Sequence, residues 1–399
     1  MEHEDYDICI VGGAGHVGLP LALAFAAVGQ RVIIYDVNTA VMDLIKGGTM
    51  PFVEYEAEPL LTQALRENLL LFSSEPRDII RAQFVIVAIG TPVDEYLNPK
   101  LRALLDLFEH LRPHLRSSQT IIIRSTVFPR TCRQVQQALS RDGQLWNVAY
   151  CPERIAQGFA IRELRELPQI VSGTSSEAIE AATRLFALVS PEVVPLEIEE
   201  AELAKLFSNA WRYIQFGAAN QFYMLAHSIG VDFNRVRDAM VRGYGRAASL
   251  PSAGFAAGPC LLKDTMQLAA LGNNHFSLGH AAMAINEGLP NFVVDMIGRQ
   301  HNLSETCVGI LGMAFKADVD DIRDSLSYKL GKVLRFHGAE VLYSDEFAKN
   351  PTFISKEELV ARAEVVIVGV PHTAYRELTV PPGVDVVDLW SVLNTDPVG

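Results

Sequence analysis

The 399-residue sequence predicts an α/β protein in which two doubly wound domains are joined by a long central helix. Short apolar strands alternate with helical segments over the first half of the chain, and the same alternation restarts after Thr306. Between these regions, residues 202–229 have helical spacing and contain no proline. We therefore expect domains at residues 1–198, 199–300 and 301–399.

The composition is typical of a globular protein. A hydrophobic content of 49% over this length can fill more than one core. Three of the first five residues are acidic, whereas a secretion signal would begin with basic residues, and no apolar run approaches the ~18 residues of a membrane-spanning helix. The sequence therefore predicts a soluble, cytoplasmic protein that does not associate with membranes.

Charge and cysteine content argue against two kinds of partner. The formal net charge of −13 disfavours nucleic acid, because binding a phosphate backbone requires a basic face. The five cysteines are scattered and show no CxxC spacing, so we expect neither a disulfide framework nor a metal site. An anionic small substrate remains compatible with this charge if a few lysines and arginines lie beside it.

The N-terminal strand leads into a glycine-rich loop and then a helix. The strand at residues 7–11 precedes Gly13, Gly15 and Gly18, which fit the GxGxxG pattern of Rossmann domains. A second strand ends at Asp36, where a carboxylate would accept hydrogen bonds from a ribose 2′-hydroxyl. This predicts NAD rather than NADP, against the alternative of a glycine-rich turn in another α/β protein. The expected cofactor contacts in this region are Gly13, Gly15, His16, Val17, Gly18 and Asp36.

Two further strands, at residues 84–89 and 120–124, end in loops that carry hydroxyl groups. Ligands of a doubly wound sheet bind beyond the carboxyl ends of its strands. We therefore expect Thr91, Ser125 and Thr126 to border the cofactor or the reacting group. The alternative is that these hydroxyls cap the helices that follow.

Cys260 is a candidate nucleophile. It follows a glycine-rich segment in which Gly258 permits a tight bend or a close approach to a ligand, and it precedes a predicted helix at residues 261–271. A helix N-terminus favours a thiolate, and Lys263 one turn on would add to this effect. Asp264 next to Lys263 could orient a water or a hydroxyl. The alternative is a small buried cysteine in a turn.

Lys205 and Asn209 lie four residues apart in the central helical stretch, so they share one helix face. An ammonium and an amide in this arrangement could be held over the same reacting oxygen. The alternative is a solvated lysine beside a surface asparagine.

The C-terminal α/β region lacks GxGxxG, so we expect it to bind a different phosphate-bearing ligand rather than a second dinucleotide. Lys316, Arg323 and the pair Asp320 and Asp321 crowd one loop of this region. They either bind a ligand or form an ion-pair network that closes the interdomain cleft, and the sequence leaves both readings open.

Seven motifs resemble, in order along the chain, those of the nucleotide-sugar 6-dehydrogenases, the UDP-glucose and UDP-N-acetylmannosamine dehydrogenase superfamily. They lie at residues 13–22, 90–92, 125–127, 152–154, 201–209, 258–264, and 315–316 with 321–323. The resemblance implies an N-terminal Rossmann domain that binds NAD and a central helix that builds a homodimer. It also implies a C-terminal Rossmann-like domain that binds the nucleoside diphosphate of the sugar substrate.

The resemblance further implies two hydride transfers to NAD. The C6 hydroxyl of the sugar would become an aldehyde that Cys260 traps as a thiohemiacetal, and a second oxidation would give a thioester that water hydrolyses to the carboxylate. Lys205 and Asn209 resemble the pair that stabilises the oxyanion. Asp264 and Thr126 resemble the groups that hold the reacting water.

Several substrate contacts are implied in the same way. Glu153 would act as general base in thioester hydrolysis, Lys316 would contact the sugar nucleotide, and Arg246 would reach the diphosphate of its own or of a neighbouring subunit. The substrate-binding residues so implied are Glu153, Arg154, Lys205, Arg246, Gly258 and Lys316.

The sequence also departs from the UDP-glucose branch of this superfamily. Gln157 stands where that branch usually has a second glutamate. The pair Asn220-Gln221 stands where that branch usually has asparagine followed by glutamate. Residues 152–154 instead resemble the N-acetylhexosamine branch, although the segment before Cys260 lacks its usual second glycine. Glucose, N-acetylglucosamine and N-acetylmannosamine, on UDP or dTDP, all stay open.

Two other functions share part of this pattern. A single-step β-hydroxyacid dehydrogenase also places a lysine and an asparagine on one helix, but it would not need the second α/β region or Cys260. An NAD-binding scaffold without catalysis would leave Cys260, Lys205, Asn209 and Glu153 without a role.

Overall fold

The computed structural model describes residues 5–91, 93–94 and 100–393. The chain divides into two compact units with a boundary between Phe207 and Ser208. Pro92, which belongs to one of the motifs, lies outside the described residues. Within the described ranges, no helix is long and apolar enough to cross a membrane. The same ranges contain no cluster of three or more histidine, cysteine or carboxylate side chains that could hold a metal ion.

The first unit is built on an eight-stranded sheet. Its strands are β1 (Tyr6–Val11), β2 (Val32–Tyr35), β3 (Leu70–Ser73), β4 (Ala82–Val87), β5 (Thr120–Ile123), β6 (Asn147–Tyr150), β7 (Gln169–Gly173) and β8 (Val193–Pro195). Their order is β3-β2-β1-β4-β5-β6-β7-β8, and all neighbours are parallel except β6 and β7. The strand order reverses between β1 and β4, which is where such sheets bind ligands.

Helices cover both faces of this sheet. They are α1 (Gly18–Ala27), α2 (Thr39–Lys46), α3 (Ala57–Arg66), α4 (Leu101–Leu111), α5 (Thr131–Leu139), α6 (Ala160–Glu166) and α7 (Ser176–Phe186). Alternate strand residues point to opposite faces, so Ile8 and Ile10 enter the core under α1 and α7. Cys9 and Val11 enter the core under α4 and α5.

A 31-residue helix, α8 (Ile198–Ser228), runs from the first unit into the second. It starts four residues before the predicted helix at 202–229 and is about 46 Å long at 1.5 Å per residue. Gly217, the weakest position for a helix, packs closely against Ala282, since a Cβ at Gly217 would lie 3.1 Å from the Ala282 Cα. The glycine therefore permits close packing against its neighbour.

The second unit holds a smaller parallel sheet. Its strands are β9 (Cys307–Leu311), β10 (Glu340–Ser344), β11 (Val365–Val368) and β12 (Asp385–Val387), in the order β10-β9-β11-β12. The helices are α9 (Phe233–Val241), α10 (Leu261–Leu271), α11 (Ser277–Gly298), α12 (Leu326–Phe336) and α13 (Lys356–Arg362). Val308 and Ile310 face the core under α11 and α12, whereas Leu311 faces the core under α13. The predicted fold class is confirmed.

Candidate active site

The loop after β1 turns sharply at Gly12, whose φ of +81° favours glycine. The N–H groups of Gly12 and Gly13 both donate to the Tyr35 carbonyl at the end of β2, over 2.9 and 3.2 Å. A Cβ at Gly13 would lie 2.7 Å from the Ile10 carbonyl oxygen, so no side chain fits there. The tight turn depends on Gly12, which we did not select from the sequence, although the pair of adjacent glycines was a signal for it.

The rest of this loop fits a dinucleotide. A Cβ at Gly15 would meet only the Gly12 carbonyl oxygen, at 3.4 Å, so a ligand can approach the backbone of Gly15 closely. Val17 is the N-cap residue of α1, and Gly18 is its first residue; this helix N-terminus suits a pyrophosphate. Asp36 accepts a hydrogen bond from the Ala14 N–H over 3.1 Å, so the carboxylate that is expected to bind the ribose is anchored to the same loop. The residues present therefore fit NAD.

His16 connects this loop to a second one. Its ring lies 4.0 Å from the ring of Phe52, centroid to centroid. Its Nδ1 lies 3.0 Å from the side-chain nitrogen of Gln157, in the segment that follows Glu153. Gln157, a departure from the usual sequence, therefore contacts the cofactor loop.

The predicted hydroxyl residues join neighbouring loops. The Thr91 hydroxyl donates to the Thr126 carbonyl over 2.7 Å, and the Ser125 hydroxyl donates to the Ile89 carbonyl over 2.7 Å. These bonds hold together the loops after the neighbouring strands β4 and β5, and β4 borders the point where the strand order reverses. The alternative that Thr91 and Thr126 cap the following helices is wrong, because the N-cap positions of α4 and α5 make no side-chain cap hydrogen bond.

Glu153 lies in the segment after β6 and is buried. Its Oε1 accepts the N–H of Arg154 over 2.7 Å, and its Oε2 pairs with Arg124. Arg124 is fully buried at the end of β5 and also donates to the Gln169 side chain over 3.0 Å. The Arg154 side chain donates to the Pro168 carbonyl. We did not predict Arg124, whose signal was a lone charge at the end of an apolar strand.

The central helix α8 contains both Lys205 and Asn209. Lys205 is buried, with 9% of its surface exposed, which contradicts the alternative of a solvated lysine. Asn209 is buried in the second unit and donates its side-chain N–H to Asp264 over 2.6 Å. The alternative of a surface asparagine is therefore wrong as well.

Cys260 is the exposed thiol of this chain. It is the N-cap residue of α10, whereas Cys9, Cys132 and Cys151 are buried and Cys307 is half-buried. Burial raises the pKa of each of these four thiols above its usual range, that of Cys151 to about 12. They remain protonated at neutral pH, so Cys260 is the candidate nucleophile.

The segment before Cys260 is shaped by close contacts. Gly258 has a φ of +97°, and a Cβ there would lie 2.5 Å from the ring of Phe315, so only glycine fits. Further back, the Asn220 side chain accepts the Gly254 N–H over 2.8 Å and donates to the Gly254 carbonyl over 3.0 Å. Asn220 is fully buried in α8 and was not predicted to support this segment.

Asp264 lies one turn after Cys260 and is fully buried. Its N–H donates to the Cys260 carbonyl over 2.9 Å, and the Lys263 ammonium lies 3.6 Å from its Oδ1. Lys263, which was expected to add to the effect of the helix N-terminus on the thiol, is also paired with Asp264.

The loop after β9 carries the predicted basic residues. Arg323 binds Asp321 through its Nε, 3.0 Å from each carboxylate oxygen. This hydrogen bond raises the pKa of Arg323, and the negative charge of Asp321 adds to the rise. Lys316 is half-buried in the same loop, and Arg246 is exposed with its guanidinium 5.3 Å from the Tyr244 ring. The ion pair between Arg323 and Asp321 lies within this loop and is compatible with both alternatives, ligand binding and a network that closes the interdomain cleft.

Three family models match the chain. The NAD binding domain of the UDP-glucose/GDP-mannose dehydrogenase family matches residues 6–190, its central domain residues 199–288, and its UDP binding domain residues 309–395. The chain belongs to this family. Membership confirms the predicted family and the NAD cofactor. It also confirms an NAD-dependent dehydrogenase that acts on a CH–OH group of a nucleotide-sugar substrate.

Relatives agree over nearly the whole chain. A UDP-N-acetyl-D-mannosamine dehydrogenase of Pyrococcus horikoshii is 27% identical over 92% of this chain and 90% of its own length. An NDP-N-acetyl-D-galactosaminuronic acid dehydrogenase of Ralstonia nicotianae is 26% identical over 94% and 93%.

Solved structures show the same fold. The structure of a UDP-D-ManNAc dehydrogenase from Pyrococcus horikoshii superposes with a TM-score of 0.91 at 26% identity, covering 98% of this chain and 97% of that one. A UDP-glucose dehydrogenase from Pyrobaculum islandicum gives a TM-score of 0.89 at 26% identity, covering 97% and 94%. The UDP binding domain and these named dehydrogenases favour a nucleotide-sugar dehydrogenase over a β-hydroxyacid dehydrogenase or a scaffold.

Proposed function

We propose that the protein oxidises the C6 hydroxyl of a sugar carried on a nucleoside diphosphate to a carboxylate, in two steps that share Cys260. The observation that carries this proposal is the exposed thiol at the start of α10, with the buried Asp264 one turn further on. Asp264 accepts a hydrogen bond from Asn209 of α8, one turn from the buried Lys205. A nucleophile, an amide and an ammonium are thus carried by rigid elements.

The first oxidation needs groups that hold the sugar oxygen. NAD, when bound, accepts a hydride in each of the two oxidations. Asp264 accepts one amide hydrogen of Asn209 and so fixes the amide plane, and the second amide hydrogen can donate to the substrate oxygen. The Lys205 ammonium stabilises negative charge on that oxygen as it forms. Thr126 and Asp264 hold the water that takes up the hydroxyl proton.

The second oxidation requires a tetrahedral carbon that can lose a hydride. The Cys260 sulfur adds to the aldehyde carbon, and the former carbonyl oxygen takes up a proton to give a thiohemiacetal. Loss of a hydride and a proton from this adduct leaves a thioester on Cys260. A water molecule, whose proton passes to Glu153, then attacks the thioester, and the sulfur leaves as a thiolate.

Arg124 and the Arg154 N–H hold the Glu153 carboxylate in one orientation for that last step. Gly258 allows the segment before Cys260 to approach the substrate, and Lys316 and Arg246 supply positive charge for a diphosphate. These roles rest on the family resemblance and on the positions of the residues within each unit.

The sugar is proposed to be an N-acetylhexosamine on UDP. The variant at residues 152–154 supports this choice, and the relatives from Pyrococcus horikoshii and Ralstonia nicotianae are both N-acetylhexosamine-type dehydrogenases by name. The test follows NADH at limiting UDP-N-acetylmannosamine, UDP-N-acetylglucosamine, UDP-glucose and dTDP-glucose in turn. Two NADH per N-acetylhexosamine support the proposal. If only a glucose nucleotide gave two NADH, the proposed identity of the sugar would be wrong. One NADH per sugar would rule out the two-step mechanism.

A variant at Cys260 tests the covalent steps directly. We expect Cys260→Ser to retain NAD binding but to lose the release of two NADH per sugar, because a hydroxyl is a much weaker nucleophile than a thiolate. Cys307→Ser is the matched control, since Cys307 is half-buried on β9. Full two-step turnover by Cys260→Ser would rule out the thioester.

We also propose a homodimer that forms along α8. Five large apolar side chains repeat at helical spacing on one stripe, with 44% to 77% of each exposed: Phe207, Trp211, Phe222, Leu225 and, just after the helix, Ile229. A second copy of the chain would cover this stripe. Light scattering should give twice the chain mass for the native protein and a monomer for Trp211→Asp with Leu225→Asp. A cytoplasmic location remains part of the proposal.

A further inference from the structure

Helix α5 begins without a cap from its own sequence. Its N-cap residue is Arg130, which has a φ of +74° and makes no side-chain cap, and the first turn contains no acidic residue. The N–H groups at a helix start have no acceptor within the helix, so buried ones need an acceptor from elsewhere. The first turn of α5 includes the buried Cys132.

The missing acceptor comes from α8. Glu202 is fully buried, its Oε2 accepts the Arg130 N–H over 2.5 Å, and its Oε1 accepts the Cys132 N–H over 3.0 Å. The two partners lie 72 and 70 residues before Glu202 in the chain. A carboxylate at a helix N-terminus is also favoured by the helix dipole. Burial raises the pKa of Glu202, and the two N–H groups oppose this rise.

These bonds join two elements that carry predicted catalytic residues. The turn between β5 and α5 contains Thr126, whose carbonyl accepts the Thr91 hydroxyl over 2.7 Å. Glu202 holds the other end of that turn, at Arg130. Lys205 lies three residues after Glu202, less than one helical turn along α8. Movement of α8 relative to this turn would therefore displace the Lys205 ammonium relative to the Thr126 hydroxyl.

We propose that Glu202 is a positioning residue that fixes the helix carrying Lys205 to the turn carrying Thr126. This inference rests on the proposed function, in which Lys205 and Thr126 act on the same reacting group. Glu202 acts through Lys205 and does not need to touch the substrate. A displacement of about 1 Å at a catalytic group can slow a reaction roughly a hundredfold, so a secure anchor at this point matters.

Glu199 supplies a matched control on the same two helices. It lies three residues before Glu202 in α8 and pairs with Arg133 of α5, with the Arg133 Nη2 2.9 Å from its Oε2. Its side chain is 37% exposed, and an exposed pair of this kind contributes little. Loss of Glu199 therefore changes the charge in the same place without releasing the buried N–H groups.

The first test compares variants by kcat and KM, with the nucleotide sugar that gives NADH. We expect Glu202→Ala to lower kcat roughly tenfold or more, with little change in KM for the sugar nucleotide. Glu202→Gln should recover part of the loss, because its amide oxygen still accepts one N–H. Glu199→Gln should behave as the native enzyme. Equal kcat values for Glu202→Ala and Glu199→Gln would overturn the proposal.

A double-mutant cycle with Lys205→Ala separates positioning from general loss of stability. If Glu202 acts through Lys205, adding Glu202→Ala to Lys205→Ala should lower kcat by less than about twofold, because coupled residues are not additive. The same full loss in both backgrounds would overturn the positioning role while leaving the proposed function intact. A Lys205→Ala enzyme with native kcat would refute the proposed role of Lys205 and this inference with it.

Amide hydrogen exchange gives a readout that needs no turnover. We expect faster exchange at Arg130 and Cys132 in Glu202→Ala, and native exchange there in Glu199→Gln. Unchanged exchange at these two amides in Glu202→Ala would show that Glu202 does not hold the turn, which would overturn the proposal.

Discussion

The two units begin their sheets with the same turn and use it differently. In the first unit, Gly12 follows β1 with a φ of +81° and donates to the carbonyl of the last residue of β2 over 2.9 Å. In the second, Gly312 follows β9 with a φ of +91° and donates to the Ser344 carbonyl at the end of β10 over 2.8 Å. In each unit an aspartate directly follows the strand whose last carbonyl accepts this bond: Asp36 follows β2, and Asp345 follows β10.

Both carboxylates bind the N–H groups of the loop after the first strand, but only Asp36 retains access to solvent. Asp36 accepts the Ala14 N–H over 3.1 Å and is half-buried. The Asp345 side chain is fully buried; it accepts the Met313 N–H over 2.6 Å and lies 3.1 Å from the Nε2 of His372. The second carboxylate therefore holds its own loop in place, while the first can also accept a ribose hydroxyl.

The loops that follow explain this difference. α1 starts six residues after Gly12, so its N-terminus lies beside the turn, as a pyrophosphate site requires. α12 starts only at Leu326, and the longer loop between Gly312 and this helix carries Lys316 and Arg323. A positive-φ glycine and an aspartate therefore do not by themselves define a dinucleotide site. The short loop and the accessible carboxylate are also needed.

Replacing His372, which covers the Asp345 carboxylate, should have the largest effect on this difference between the two units. Its Nδ1 accepts the Asp318 N–H over 2.9 Å, so its Nε2 carries the proton that it donates to Asp345. In His372→Leu, the buried Asp345 carboxylate loses a hydrogen-bond donor and the Asp318 N–H loses its acceptor. We expect the free energy of unfolding of the second unit to fall by about 3 kcal/mol, measured by chemical denaturation.

The control for this variant is a second histidine–aspartate pair in the same unit. The His301 Nε2 lies 2.6 Å from Asp385, but that carboxylate is 59% exposed. His301→Leu should change the free energy of unfolding by less than about 1 kcal/mol. Equal losses for the two histidine variants would show that burial of the Asp345 pair does not matter.

Asp345→Asn should have a smaller effect that depends on pH. Burial alone would raise the pKa of Asp345, but the bonds from His372 and the backbone lower it from 3.8 to about 2. Because the unfolded carboxyl binds its proton at a higher pH than the folded one, this stabilisation is present above about pH 4 and is lost as the pH falls towards 2. It amounts to about 2 kcal/mol at neutral pH.

Thermal unfolding of the native protein and Asp345→Asn between pH 3 and pH 7 measures this effect. The difference in melting temperature between the two proteins should be constant from pH 5 to pH 7 and should become smaller below about pH 4. A gap that did not change with pH would mean that the charge of Asp345 makes no contribution.

The strands that the sequence predicted well are mostly continuous apolar runs, and they include the partly exposed edge strands β10 and β12. The strands around β1 and β9 are continuous apolar runs, because helices cover both sides of a parallel sheet. β3 and β8 are edge strands and were missed; Leu70 and Val193 are only half-buried, so their sequences carry a weaker apolar signal. β7, which is antiparallel to β6, was missed as well.

Site residues were predictable where a motif is local. Cys260 and Asp264 lie within one turn, and Lys205 and Asn209 within another, so their spacing alone indicates a shared face. The supporting residues pair over longer distances in sequence, and a single sequence contains no signal for such pairs. Glu202 binds an amide 72 residues away, and His372 binds a carboxylate 27 residues away.

The smallest expected effect concerns Asp36. Asp36→Ala removes the predicted acceptor of a ribose hydroxyl, so we expect KM for NAD to rise roughly tenfold and the preference over NADP to fall, while KM for the sugar nucleotide does not change. Asp345→Asn is the matched control, because its carboxylate occupies the same place after a second strand but is sealed by His372. That variant should keep the native KM for NAD, measured at a temperature where it is folded. If Asp36→Ala kept the native ratio of the two cofactors, the ribose would be recognised elsewhere in the first unit, and the accessible carboxylate would no longer distinguish the two turns.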